Sequence, residues 1–240
     1  MGYNATVNTK GLWHLDNALT DSSGNGYTLS SVGSPGYAAA KFGNGIDLGA
    51  TNTTKSIYIN NAMGIQAGDQ TCIAWYNIYS LPASDNTLMQ KSWDAGNPGT
   101  NSQWAIELLL TSTGLIYAMV IGNPIIGGST IEAVSVGRFN MVGYTWKNST
   151  ATLNVYINGV NKKSFIANTG VSANYANLFI VGGEGDRGTS VPSRNFLSAI
   201  GDEVILENRT WSDDEMLAYY ASCLASIPSI SVSNETGVVI

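Results

Sequence analysis

The 240 residues, 44% of them hydrophobic and only 12% charged, can bury one large core, but solubility must rest on Asn, Ser, Thr and Gly rather than on charge. With 11 Lys and Arg against 17 Asp and Glu the net charge is -6, and no basic stripe interleaved with aromatics is present, so no nucleic-acid partner is expected. No apolar run reaches the roughly 20 residues that span a bilayer, and the opening MGYNATVNTKG has neither the basic nor the apolar region of a signal peptide.

Residues 11–16 (GLWHLD) predict a short strand, followed by the turn-rich DSSGNGY at 21–27. A Gly/Ser/Pro stretch at 30–36 leads through KFGNGIDLG to an alternating strand at 55–59. Residues 71–79 are apolar on both faces, which predicts a central strand covered on both sides. After the Leu81-Pro82 break come strands at 87–93, 103–110 and 114–121, with a Gly/Asn/Pro loop at 94–102.

Residues 138–165 predict three strands forming the middle of an antiparallel sheet. Leu153, Val155 and Ile157 fall on one face while Asn154, Tyr156 and Asn158 fall on the other. Asn158-Gly159 is the pair that most readily takes positive φ in a tight hairpin turn. A strand at 177–182, a Gly-rich loop at 182–195 and a long strand at 196–206 follow.

Ser212-Asp213-Asp214-Glu215 is a capping box that opens a helix, with Trp211 and Met216 placed as a hydrophobic staple. Met216, Tyr220 and Leu224 make its apolar stripe. Residues 1–225 therefore predict one all-β domain, a two-sheet antiparallel jelly-roll sandwich with one short C-terminal helix. Residues 226–240 read as a disordered tail or as an arm that pairs with another chain, giving a homo-oligomer or larger assembly. Cys72 and Cys223 read as two buried thiols, with a disulfide as the alternative.

Four segments, GLWHLDNALTDSSGNGY, AKFGNGIDLG, FNMVGYTWKNSTATLNVYINGV and IGDEVILENRTWSDDEMLAYY, together and in this order resemble the laminin-G-like jelly rolls of the concanavalin A-like lectin/glucanase superfamily. The resemblance runs from Gly11 to about Tyr220 and implies two sheets packed face to face, one of them curved. The chain departs from it at Phe139-Asn140, where the family usually has Trp-His.

Glucan-cleaving members of that superfamily carry an E-x-D-x-x-E run, because hydrolysis needs acids about 5–9 Å apart in one cleft. No such run exists here. Asp202, Glu203 and Glu207 lack the spacing and read as a solvated strand face with a structural acid; His14 reads as a packed or edge histidine. Catalysis would need acids from separate strands, Asp47, Glu107, Glu132 and Glu184, to converge, and no enzyme is expected.

Residues 21–26 (DSSGNG) place oxygens at alternate positions as in half of a calcium loop, with Val32 where a bidentate Glu would stand; an Asx-rich turn is the alternative. The resemblance implies a structural calcium between the first and last strands, where Asp202 would meet Asp16 or Asp21.

Outward aromatics Trp93, Trp104, Tyr117 and Tyr144 suit stacking on sugar rings, with Asn97, Asp186, Arg187 and Arg194 as hydrogen-bonding rims; burial in the core is their alternative use. The expected function is a non-catalytic carbohydrate- or surface-binding adhesion module. Its partner would be a glycan or cell-surface polymer, and its place extracellular or on a virion surface, as a decoration or host-attachment protein. A structural or assembly subunit and a glycan-cleaving enzyme are the alternatives.

Overall fold

The computed structural model describes residues 2–51, 54–61, 63–65, 68–92, 105–121, 126–167, 178–185 and 191–225. In chain order the strands are β1 (Thr9–Trp13), β2 (Ser30–Val32), β3 (Gly36–Ala39), β4 (Asn44–Asp47), β5 (Ser56–Asn60), β6 (Gln70–Ile78), β7 (Asn86–Ser92), β8 (Ala105–Leu110) and β9 (Leu115–Ile121). They continue with β10 (Ile126–Ala133), β11 (Phe139–Lys147), β12 (Thr152–Ile157), β13 (Val160–Ile166), β14 (Leu178–Val181), β15 (Glu184–Gly185), β16 (Pro192–Arg194) and β17 (Ala199–Glu207), followed by the helix α1 (Asp213–Ala225).

Sheet A runs β13-β12-β11-β6-β17-β4-β3, with β1 also paired to β17; sheet B runs β10-β9-β8-β7-β14-β5-β2; β15 and β16 form a separate hairpin. Between the two sheets, Cys72, Ala74 and Tyr76 of β6 meet Leu88, Leu108 and Phe179 in one buried cluster. Alternate residues of the strands point there, as the pleat requires, except at the bulges of β7 and β17. Trp13 and Phe179 stack across the gap with ring centroids 5.7 Å apart.

The apolar β6 is a central strand, as its composition predicts. Its alternate residues Ile73 and Trp75 enter a second buried layer with Leu12, Met141, Tyr156, Ile205, Trp211, Met216 and Cys223. That layer lies under α1 and explains why β6 and β17 show almost no polar alternation. The β11–β12–β13 unit forms as expected, with Asn158 at φ 53° and Gly159 at φ 79° in the turn. It is not the middle of the sheet, however. β13 is an edge, and the centre belongs to β6 and β17. Tyr156, expected on an exposed face, is 1% exposed; its hydroxyl donates to Asp213 Oδ1 at 2.7 Å.

The capping box is present: Glu215 N–H donates to Ser212 Oγ at 3.2 Å and Ser212 N–H to Glu215 Oε2 at 2.8 Å. The helix buries Met216 and Cys223, with Tyr219 and Tyr220 packed beside them, while Leu224 is exposed. The buried stripe thus follows i, i+3/i+4, i+7 rather than continuing to i+8. Both thiols are buried and not joined in a disulfide, each in a different apolar layer.

Candidate functional site

The outer face of sheet A is closed. Glu207, fully buried, accepts bonds from Tyr3 Oη at 2.5 Å, Thr9 Oγ1 at 3.0 Å and Trp211 Nε1 at 2.5 Å, and pairs with Arg209 Nε at 2.9 Å. Burial opposes its charge, but the Tyr3 and Trp211 donors win and hold its carboxyl below the usual range. Glu203 Oε1 lies 2.6 Å from His14 Nδ1, and Glu203 sits at φ 45° in a bulge between Asp202 and Ile205.

Asp202, Glu203 and Glu207 are therefore not the solvated strand face expected. Tyr3 and Thr9 cover Glu207 across about 200 residues of sequence, His14 meets Glu203, and the Phe42 N–H meets Asp202. Glu203 Oε2 is buried without a hydrogen-bond partner. Burial pushes Asp202 up to about 8 even though its oxygens accept the Phe42 and Glu203 N–H groups at 2.8 Å.

Asp16 Oδ1 accepts the Asn44 N–H at 2.8 Å. It lies close enough to Asp202 and Glu203 for its charge to raise both. Asp21 does something else: it accepts Leu12 N–H at 3.1 Å, Ser23 N–H at 2.8 Å and Tyr27 N–H at 3.0 Å, closing an Asx turn. Among the described residues no three His, Cys, Asp or Glu side chains are grouped to hold a metal ion. Asp16, Asp21 and Asp202 thus do not assemble as one set of ligands.

The outer face of sheet B is built differently. Strand register places Ser30, Tyr58, Ile180, Gln90, Glu107, Met119 and Gly127 in one row across six strand pairs. Thr87, Leu109, Tyr117 and Ser129 form a second row. These positions point away from the core because their neighbours Ile57, Met89, Ile106, Ile116, Ala118 and Phe179 point into it. Tyr58, Tyr117 and Met119 are half-buried.

The β15–β16 hairpin docks onto this face. Gly185 N–H donates to Gln90 Oε1 at 3.0 Å. Glu184 accepts from Arg194 and from the Asn195 amide. Glu107, 2% exposed, takes the Thr87 hydroxyl at 2.9 Å. Burial, then the Glu184 carboxylate, push Glu107 up to about 7, with Thr87 and Arg194 offsetting part of the rise.

Of the four acids that would have to converge for hydrolysis, only Glu107 and Glu184 share a cluster. Both are buried; Glu184 fastens the hairpin through Arg194 and Asn195, while Glu107 holds the Thr87 hydroxyl. Asp47 instead accepts Gly49 N–H at 2.9 Å and the Tyr79 hydroxyl at 3.2 Å. Glu132 pairs with Lys162 at 2.7 Å, linking the edge strands β10 and β13.

Among the predicted ligand residues Arg194 lies on the hairpin with its side chain 55% exposed. Trp93, Asn97, Trp104, Asp186 and Arg187 lie outside the described residues. Tyr117 does face outward. Tyr144 does not: it pairs with Cys72, points into the core and donates to Gln70 Oε1 at 3.1 Å. Sequence reasoning missed Gln90 and Thr87, whose roles depend on a hairpin about 100 residues further along the chain. A lone acid inside the apolar strand AIELLL was the available signal for Glu107.

A laminin-G family model, described as the concanavalin A-like lectin/glucanases superfamily, matches residues 49–216. No curated protein matches the chain. Among solved structures, domain 4 of AbnA, a GH43 extracellular arabinanase from Geobacillus stearothermophilus, in complex with arabinotriose, has a TM-score of 0.67 at 18% identity, covering 89% of this chain and 98% of that one.

The binding domain of Paraclostridial Mosquitocidal Protein 1 has a TM-score of 0.65 at 18% identity, covering 90% of this chain and 52% of that one. The binding domain of Botulinum neurotoxin DC in complex with SialylT gives 0.65 at 13% identity, covering 92% and 52%. This chain spans about half the length of each toxin domain. At these identities the likeness is one of fold.

Proposed function

The chain belongs to the concanavalin A-like lectin/glucanase superfamily, and from that premise we propose that it is a non-catalytic module that binds a carbohydrate, on a glycan or cell-surface polymer, at the outer face of sheet B. The contrast between the two outer faces carries the reading. The centre of sheet A buries its outer residues against α1 and Tyr3, whereas on sheet B only Thr87, Gln90, Glu107, Leu109 and Ile180 of the two outer rows are buried. Sheet B instead offers the half-buried Tyr58, Tyr117 and Met119 beside an exposed Arg194. Flat aromatic faces suit sugar C–H surfaces, and Arg suits hydroxyls or a carboxylate. Trp93 and Trp104 belong to the segment joining β7 to β8 and are part of the proposed rim.

Absence of catalysis fits the burial of Glu107 and Glu184, the first bonded to Thr87 and the second to Arg194 and Asn195. Domains of this fold occur with arabinotriose and with SialylT, so arabino-oligosaccharides and sialylated glycans are the first ligands to offer. Attachment at an extracellular surface is the role that follows.

A structural calcium at Asp16 and Asp202 is part of the same proposal, supported by the partnerless buried oxygen of neighbouring Glu203. The ion would supply positive charge to these carboxylates. Calorimetric unfolding that ignores both chelator and added calcium overturns it.

The direct test is a glycan array of the whole chain, run with calcium and with chelator, for the parent and for Tyr117→Ala and Tyr58→Ala. Binding to a defined sugar class that both variants weaken is expected. A blank array under both conditions overturns the reading in favour of a structural subunit.

A further inference from the structure

A cleft of about 460 Å³ opens at one end of the sandwich, between the turn that joins β6 to β7, the residues after β4 and the segment entering β17. Its volume falls in the ~300–1,000 Å³ range of small-molecule sites. The walls are tied together: Ser198 Oγ donates to the Ala50 carbonyl at 2.6 Å, the Tyr79 N–H to the Ser198 carbonyl at 3.0 Å, and the Thr87 N–H to the Asn195 carbonyl at 2.9 Å. Asn195 is held at φ 49°, a left-handed conformation that its own amide fixes by bonding Glu184. The cleft is therefore formed before any ligand arrives.

Its lining is neutral. No Lys, Arg, Asp or Glu among the described residues contributes to it, which disfavours an ionic ligand, because none of them would pair the charge on desolvation. Ser80, Ser84 and Asn86 line it with side chains that make no hydrogen bond among the described residues. Ser80 and Ser84 are exposed and Asn86 is half-buried, so their hydroxyl and amide groups are accessible from the cleft. Phe196, half-buried, and Leu81, 39% exposed, add apolar surface beside them. Free hydroxyl and amide groups next to an aromatic ring match a ligand that alternates hydroxyls with C–H faces.

We propose that this cleft is a second binding site, separate from the outer face of sheet B, and that it takes a neutral hydroxyl-rich ligand of one or two sugar rings. The ligand class follows from the lining itself. Occupation of the cleft thus does not depend on binding at the face.

The test is a two-dimensional NMR titration of the assigned, isotope-labelled full chain with free neutral mono- and disaccharides, and with sialic acid as the anionic counterpart. Shifts of the Ser80, Ser84, Asn86 and Phe196 amides with a neutral sugar and not with sialic acid are expected. Asn86→Ala should weaken that binding by up to about tenfold, the loss of one or two hydrogen bonds. Ser84→Trp, on an exposed turn, should fill the cleft and abolish it, with the unfolding midpoint of each variant checked against the parent. Shifts confined to Tyr58, Tyr117 and Met119 overturn the cleft while supporting the face. Neutral-sugar shifts at the cleft that survive Ser84→Trp also overturn it, as does silence of these amides with every neutral sugar.

Discussion

Replacing Glu107 by Gln should change how stability depends on pH more than it changes stability at any one pH. The side chain is 2% exposed, and burial with the nearby Glu184 raises its carboxyl from 4.5 to about 7. The folded protein therefore holds this proton over a window where the unfolded chain has lost it. The contribution is fully present below 4.5 and is lost as pH rises through about 7. At ~1.4 kcal/mol per tenfold step, the rise is worth at most about 3.4 kcal/mol, and about 2 kcal/mol of it disappears between pH ~5 and ~7.5. Gln keeps the shape and can still accept the Thr87 bond, but it does not titrate. Urea unfolding of both proteins at several pH values should show the parent losing about 2 kcal/mol relative to the variant across that range. Parallel pH profiles would refute the reasoning, since they would mean that Glu107 is hydrated and unperturbed.

Lys91 should behave in the opposite window. It points into the core opposite Ile106, beside Cys72, and burial lowers its ammonium from 10.5 to about 7. The unfolded chain then binds the proton more tightly, so its contribution improves as pH rises from 7 towards 10.5. The stability advantage of Lys91→Met over the parent should shrink by about 2 kcal/mol between pH ~7 and ~9, measured by chemical unfolding. Gly159→Ala should cost about 1–3 kcal/mol, because the residue sits at φ 79° and an added Cβ would come within 2.8 Å of Tyr220 Cβ. A thermal midpoint equal to the parent's would contradict that packing. Ser212→Ala should cost about 1 kcal/mol, roughly 2–4 °C in Tm, while Ser212→Asn should cost much less.

Features set by neighbouring residues were readable in the sequence. The Asn158-Gly159 turn, the Ser212/Glu215 cap and the doubly apolar β6 each follow from a few adjacent side chains. Tyr144 was misplaced because β11 is buried on both faces, which removes the alternation that would have told in from out. The acids of β17 looked solvated because their cover, Tyr3 and Thr9, lies at the other end of the chain. The ligand face was only half legible for the same reason. Glu107 stands out within its strand, but its partners Thr87, Glu184 and Arg194 come from three other strands or their ends, and no local pattern joins them.

The pairing of β1 with β17 also sets the order in which the molecule can be completed. Thr9 meets Glu207 across 198 intervening steps of chain. At ribosomal speeds of ~5–20 residues per second, β1 waits roughly 10–40 s for β17, its one partner among the described strands. Until then sheet A exists as two fragments, β3–β4 on one side and β6 with β11–β12–β13 on the other, because β17 is the strand that joins them. The edge of β6 that will receive β17 presents unpaired backbone N–H and C=O groups between two apolar faces until β17 is made. A nascent chain built this way is open to mispairing along β6 until Ala199–Glu207 has emerged.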